Sequence, residues 1–310
     1  MTPPPVIAIF GPTAVGKTRV AAEVACALRG EIVSADSMQV YAGLPALTDQ
    51  PPAALLAAAP HHLIGAVPLD EEYSAGRFAR EAAGAIEQIT ARGRLPILAG
   101  GTGLYIRALL GGFGFGARGS TAARRKWEAF ISERGAEAAA KELSRLEPAA
   151  AAAIDTTNPR RLARALEAAE AGRPVSAERD RLWSAKSRYR VLSFGLEMPR
   201  RELYRMIDER VDAMLECGAI DEVKAAGCER VSRTVLQAIG FSEICRLLAG
   251  EATHDEIAAA IRQKSRRYAK RQLTWMRKMP DIVRIDLAGR THAEAAQMII
   301  ERVRSAFPER

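Results

Sequence analysis

The chain has 310 residues, 48% of them hydrophobic and 26% charged, with a formal net charge of +8 at pH 7. That length can hold one large domain or two modest ones around a full core. No stretch approaches the about 18 unbroken apolar residues of a membrane-spanning helix, which excludes a helical membrane protein. The cationic excess favours a polyanionic partner, nucleic acid first among them.

The N-terminal MTPPPVIAIFG lacks the basic start of a secretory signal, and its apolar run leads straight into a glycine-rich loop. Residues 6–10, VIAIF, therefore predict a buried first strand, followed by the loop FGPTAVGKT and a helix over 17–29. EIVSA (31–35) predicts a second strand, running into DSMQVY. The adjacent His61 and His62 point apart and have no third ligand near them in sequence, so no metal is expected there. Ser74 caps a helix reaching Arg92, and LPILAG (95–100) predicts a third strand that delivers GGTGLY. A fourth strand is expected at 190–198 and a fifth at 282–287. Each apolar run stops at Gly, Asp or Ser, the carboxyl ends of strands where α/β proteins place their ligands.

Between 115 and 189 the strand signal vanishes, and alanine-rich helical text replaces it. Asn158, Pro159 and Gly172 mark the start and stop of one helix there. The stretch reads as a helical insertion, 115–189, in an α/β core made of 1–114 and 190–310; extra helices packed on that core are the alternative. The glycine-rich 111–119 reads as the hinge. Further on, Thr253 and Glu256 form a capping box opening a helix toward Met279, with Pro280 beyond. Its expected apolar seam is Ile257, Ile261, Tyr268, Trp275 and Met279. Arg262, Lys264, Arg266, Arg267, Lys270, Arg271, Arg277 and Lys278 surround that seam, either as a solvated basic face or as a surface for a phosphate backbone. Thr291 and Glu294 cap a last helix. The four cysteines, Cys26, Cys217, Cys228 and Cys245, show neither paired nor metal-finger spacing, so reduced thiols in a cytoplasmic protein are expected.

Gly11, Pro12, Thr13, Ala14, Val15, Gly16, Lys17 and Thr18 fit the GxxxxGK[ST] phosphate loop without a gap. Such a loop converges backbone N–H groups on an anion. The helix start adds positive potential, Lys17 a point charge and Thr18 a hydroxyl suited to Mg²⁺. Ordinary nucleoside triphosphatases end a nearby strand in an acid that holds the metal shell. Here that strand ends Leu98, Ala99, Gly100, Gly101, Thr102, Gly103, without a carboxylate. The acid at a comparable position is Asp36. A diphosphate opposite a lone carboxylate suggests a leaving group on one side and a proton acceptor on the other.

Together with HHLIG, AGGTGLYIRALL, NPRRLARALE, LYRMIDERVDAMLECG, QAIGFSEI and RRYAKRQLTWMRK, the segments GPTAVGKT and DSMQVY occur in an order that resembles the bacterial tRNA dimethylallyltransferases, or tRNA isopentenyltransferases, over residues 5–280. The resemblance implies a phosphate-loop α/β fold. It also implies transfer of a five-carbon allyl group from dimethylallyl diphosphate to N6 of adenosine 37 in tRNA, the substrates meeting in a channel from opposite ends. Asp36 matches the family's catalytic base, and Thr102 its threonine beside the flipped-out nucleotide. Arg210 matches an arginine on the diphosphate. Asp36, Ser37, Met38 and Gln39 match one tRNA-contacting stretch, with Gln39 as base reader. Arg160, Arg161, Leu162, Ala163 and Arg164 match a second, and Arg124 an arginine at the insertion's entrance. Tyr105 is open between lining the channel and core. Mg²⁺ is the implied cofactor. A monomer is expected, although nothing in the sequence fixes self-association.

Two departures stand out. Where the family commonly reads KGLDIGTAKP, this chain has AGLPALTDQPP at 42–52, and Ser242 stands where IGYKE carries lysine. The contacts of those lysines are therefore in question. Competing readings are a kinase of the same fold, which needs an ATP site, and a non-catalytic RNA-binding protein.

Overall fold

A computed structural model describes residues 3–111, 121–172, 187–279 and 281–308. The expected hinge, apart from Gly111, and Pro280 lie outside the described residues. The chain divides into two compact units, Met1–Leu110 with Ser187–Arg310, and Gly111–Lys186.

Among the described residues the larger unit is built on six strands: β1 (Pro5–Phe10), β2 (Gly30–Ser34), β3 (His61–His62), β4 (Leu95–Gly100), β5 (Arg190–Glu197) and β6 (Ile282–Asp286). Their order is β3-β2-β4-β1-β5-β6 and every ladder is parallel. Parallel strands are covered on both faces, which is why VIAIF shows no polar alternation. Val6 and Phe10 enter one core with Val33 and Leu98, while Ile7 and Ile9 enter the other with Ile32, Ile97 and Leu196. The expected strands match five of the six; β3 has two residues and is too short to leave a pattern.

Helices α1 (Lys17–Leu28), α2 (Pro45–Thr48), α3 (Ala53–Ala58), α4 (Ala75–Ala91) and α5 (Gly103–Leu110) precede the second unit. There, α6 (Thr121–Leu146) breaks at Gly135 and is followed by α7 (Pro148–Ala153) and α8 (Pro159–Glu170). Trp127, Ile131, Leu143, Leu162, Ala163 and Leu166 form this unit's own core. Glu170 pins α8 to the start of α6 through Trp127 Nε1 at 2.7 Å and Lys126 Nζ at 2.5 Å. Asn158 caps α8 through the N–H groups of Arg160 and Arg161.

The first unit resumes with α9 (Arg200–Glu216), α10 (Ala219–Ala226), α11 (Phe241–Leu248), α12 (His254–Arg277) and α13 (His292–Ala306). Both expected capping boxes form, Thr253 with Glu256 on α12 and Thr291 with Glu294 on α13. The buried line of α12 is Ile257, Ala258, Ile261, Ser265, Ala269, Gln272 and Met276. Tyr268 and Trp275, expected in that seam, lie half-buried on its flank. Large side chains suggested one stripe; helical geometry puts smaller and polar ones at the centre.

Part of the basic face of α12 is engaged in ion pairs between helices. Arg262 pairs with Asp212 and Arg266 with Asp208, both on α9, and Lys264 pairs with the buried Glu243 of α11. These three cations tie helices together, although their side chains stay partly exposed. Arg267, Lys270, Arg271, Arg277 and Lys278 are exposed.

Reduced thiols were expected throughout, but Cys228 and Cys245 form a disulfide. Gly227 ends α10 with φ 74° and turns Cys228 back onto α11, bringing the two Cα atoms to 6.0 Å. A separation of 17 residues carries no motif from which this could be read. Cys26 and Cys217 are free and exposed. No described helix is long and apolar enough to cross a membrane.

Candidate active site

The carboxyl ends of β2, β4 and β1 are neighbours in the sheet, so residues 35–39, 100–103 and 11–18 converge from distant parts of the chain. In the loop after β1, Ala14 (φ 64°) and Gly16 (φ 85°) adopt left-handed conformations. A Cβ on Gly16 would stand 2.0 Å from Nε2 of His292, the first residue of α13, so both backbone and space demand glycine. Gly16 is the N-cap of α1 and supplies no side-chain cap, and the helix's first turn holds no acid. Its leading N–H groups are left for an anion.

Lys17 Nζ folds across this loop and donates to the Pro12 carbonyl at 2.7 Å. Burial draws its ammonium from 10.5 down to about 8; the charge of Asp36 opposes this, that of Arg210 adds to it, and that of Asp49 opposes it. Asp36 therefore lies within electrostatic reach of the phosphate-loop lysine. Thr18 is half-buried, second residue of α1. Arg210, on α9, donates from Nη1 to Thr13 Oγ1, while its Nε is 3.1 Å from Asp49 Oδ2.

Asp36 is separated from the end of β2 by one residue, Ala35. Its Oδ1 accepts the N–H groups of Met38 at 2.9 Å and Gln39 at 3.4 Å, leaving Oδ2 without a hydrogen bond among the described residues. Thr102 joins the loops: its N–H donates to Ala35 O at 3.2 Å, and its Oγ1 accepts from Ser37 N at 3.2 Å. This approach needs glycine at the end of β4, because a Cβ on Gly100 would sit 2.3 Å from Ala35 O.

The hydroxyl of Tyr268 also reaches this place. Burial raises its pKa, and the Asp36 charge raises it further. Tyr105, left open above, is core: it is 5% exposed and stacks on Phe78 at 4.5 Å. The Gln39 amide is engaged internally, with Nε2 donating to Asp49 O at 2.6 Å and Oε1 accepting from Ser34 Oγ at 3.2 Å. Met38 is half-buried against the core.

In the second unit, Arg160, Arg161 and Arg164 are exposed, whereas Leu162 and Ala163 are buried in that unit's core. Arg124 is exposed and pairs with Glu128 one turn on, at 3.1 Å. Among the described residues no group of three or more His, Cys, Asp or Glu converges as a metal site. His62 instead meets Glu31 at 2.8 Å, and His61 Nδ1 meets Ala59 O at 2.8 Å.

The divergent 42–52 stretch has partners of its own. The Glu222 carboxylate accepts the N–H groups of Ala46 at 2.7 Å and Leu47 at 2.9 Å, capping α2 from outside. Gln50 Nε2 donates to Gln39 O at 3.0 Å and Tyr41 O at 2.8 Å. Sequence reasoning missed Asp49, Glu222, His292, Tyr268 and Gln272. Gln272 left one readable signal, a polar amide in register with the buried line through Ile261 and Met276.

A family model described as IPP transferase matches residues 39–279. A tRNA dimethylallyltransferase of Citrifermentans bemidjiense is 43% identical over 92% of this chain and 92% of its own. One from Shouchella clausii is 41% identical over 91% of each. Among solved structures, a tRNA isopentenylpyrophosphate transferase of Bacillus halodurans matches with TM-score 0.72 and 37% identity, over 98% of this chain and 97% of that one. A eukaryotic dimethylallyltransferase acting on tRNA matches with TM-score 0.79 and 27% identity, over 98% and 78%. The phosphate loop, its parallel sheet and this agreement along nearly the whole chain make the protein a member of the IPP transferase family.

Proposed function

We propose that this chain transfers a dimethylallyl group from dimethylallyl diphosphate to N6 of adenosine 37 in tRNA. The observation that carries the reading is that the Asp36 loop and the phosphate loop are held together at the carboxyl ends of the strands, through Thr102 on one side and Gln272 on the other. The exocyclic amine of adenine is a poor nucleophile because its lone pair is delocalised into the ring. As N6 bonds to C1 of the allyl group, Asp36 accepts the N6 proton and the bond from C1 to the diphosphate oxygen breaks. Negative charge then grows on the leaving diphosphate, where Lys17, the N–H groups at the start of α1 and Arg210 receive it. Thr102 holds the Asp36 loop against β4 and faces the adenine.

The donor set fits a Mg²⁺ ion that arrives with the diphosphate, since Thr18 offers one hydroxyl and such ions keep waters and substrate oxygens. When bound, the ion neutralises charge on the leaving group. One chain carries both cradle and base, so a monomer suffices, and its tRNA substrate places it in the cytoplasm. Ser37, Met38 and Gln39 border the adenine, and Arg160, Arg161 and Arg164 give the second unit its phosphate contacts.

The test is direct. Dimethylallyl diphosphate labelled in its allyl group, incubated with unmodified tRNA, is expected to leave label on N6 of adenosine 37 and to release unlabelled diphosphate. Label elsewhere, or none, overturns the reading. Replacing Arg160 and Arg161 together with alanine is expected to weaken tRNA binding and flatten its salt dependence by about one slope unit per lost phosphate contact. An unchanged slope in a salt titration would return both arginines to a solvated face.

A further inference from the structure

Gln272 lies on α12, remote in sequence from each loop of the site, and is 3% exposed. Both ends of its amide are used. Oε1 accepts the Thr13 N–H of the phosphate loop at 2.7 Å, and Nε2 donates to Gly101 O, beside Thr102, at 3.0 Å. One planar group thus spans the loop expected to grip the diphosphate and the loop that carries Thr102 and, through it, Ser37 and Asp36. The fit leaves no slack, since a Cβ on Gly101 would stand 2.0 Å from Nε2. Further along α12, Trp275 continues the arrangement with its ring against Gly103.

From this geometry we infer that Gln272 is a positioning residue that sets the separation between the departing diphosphate and the adenine amine. It touches neither reacting atom. Each substrate depends on its own loop for affinity, whereas the transfer step depends on the distance between the loops. An in-line displacement is steep in that distance, and a misplacement of about 1 Å can cost about 100-fold in rate. Glutamine suits the post because its side-chain amide presents an acceptor and a donor in one rigid plane. The inference rests on the proposed transfer reaction.

The experiment uses the full chain with Gln272→Met, which keeps the length and removes both hydrogen bonds, and Gln272→Asn, which keeps the amide but is too short to reach both loops. Saturated turnover per folded molecule is measured beside pyrophosphate binding, tRNA binding and melting temperature. For both variants turnover is expected to fall by about 100-fold, while each separate affinity stays within about threefold of the parent. A purely structural glutamine would instead lower the melting temperature and leave turnover per folded molecule unchanged, and that result overturns the inference. Loss of pyrophosphate affinity in step with turnover also overturns it, because Gln272 would then merely shape the phosphate loop. So does failure of both variants to fold. If the parent chain transfers no allyl group to tRNA, the proposed function has failed; if it does and the variants keep their turnover, only the role of Gln272 has.

Discussion

Asp36→Asn is expected to lower the turnover of allyl transfer by about 1,000-fold, within the span a positioned general base supplies. The substitution preserves shape, and its amide oxygen can still accept the Met38 and Gln39 N–H groups that the carboxylate accepts through Oδ1. What disappears is the capacity to take a proton at the second oxygen. Binding of tRNA and of pyrophosphate should therefore change little, and the loss should sit in the chemical step of a single-turnover measurement. Turnover within tenfold of the parent would remove Asp36 as the base, and equal loss of tRNA affinity would make it a binding residue.

The second large effect concerns Lys17. Lys17→Met is expected to depress turnover by about 100-fold or more, as removal of a charge aimed at developing negative charge does. The parent should also show a pH signature. In the free protein the ammonium has been brought from 10.5 to about 8, mainly by burial. A bound diphosphate favours the charged form, so binding above pH 8 must draw a proton from solution. Pyrophosphate affinity is expected to weaken as pH rises above 8, toward tenfold per pH unit, with proton uptake visible by calorimetry in buffers of different ionisation enthalpy. Lys17→Met should lack both.

Stability moves the opposite way. Because the folded pKa lies below the unfolded one, burying the charge costs stability in full below pH 8, and the cost is relieved between 8 and 10.5. The free Lys17→Met chain is expected to melt higher than the parent at pH 7, with the gap closing as pH rises. A gap that does not depend on pH would mean that Lys17 is not the group being relieved.

Much of this site was legible before any coordinates, for local reasons. The phosphate loop declares itself because a strand, a glycine turn and a helix start must follow one another without interruption. Asp36 and the double glycine before Thr102 sit at strand ends, where hydrophobic runs stop. The partners that organise these pieces were not legible, because they arrive from elsewhere in the chain. Gln272 and Tyr268 reach the loops from α12, and Glu222 caps α2 from α10. The ion pairs within the basic stripe of α12 were hidden for the same reason: Asp208 and Asp212 give α9 no look of a partner, yet they take up Arg266 and Arg262. Resemblance carried Leu162 and Ala163 into a tRNA-contacting stretch, but their periodicity on α8 already suited a buried stripe.

The sheet order bears on biosynthesis. Residue 5 in β1 pairs with residue 190 in β5, so the central strand stays half-paired until the ribosome has passed the whole intervening unit. That unit carries its own core between Trp127 and Leu166 and can collapse in the meantime. A nascent polypeptide ending before Gln272 lacks the bracket across its two loops, so the two strand-end loops are joined only once α12 has been made.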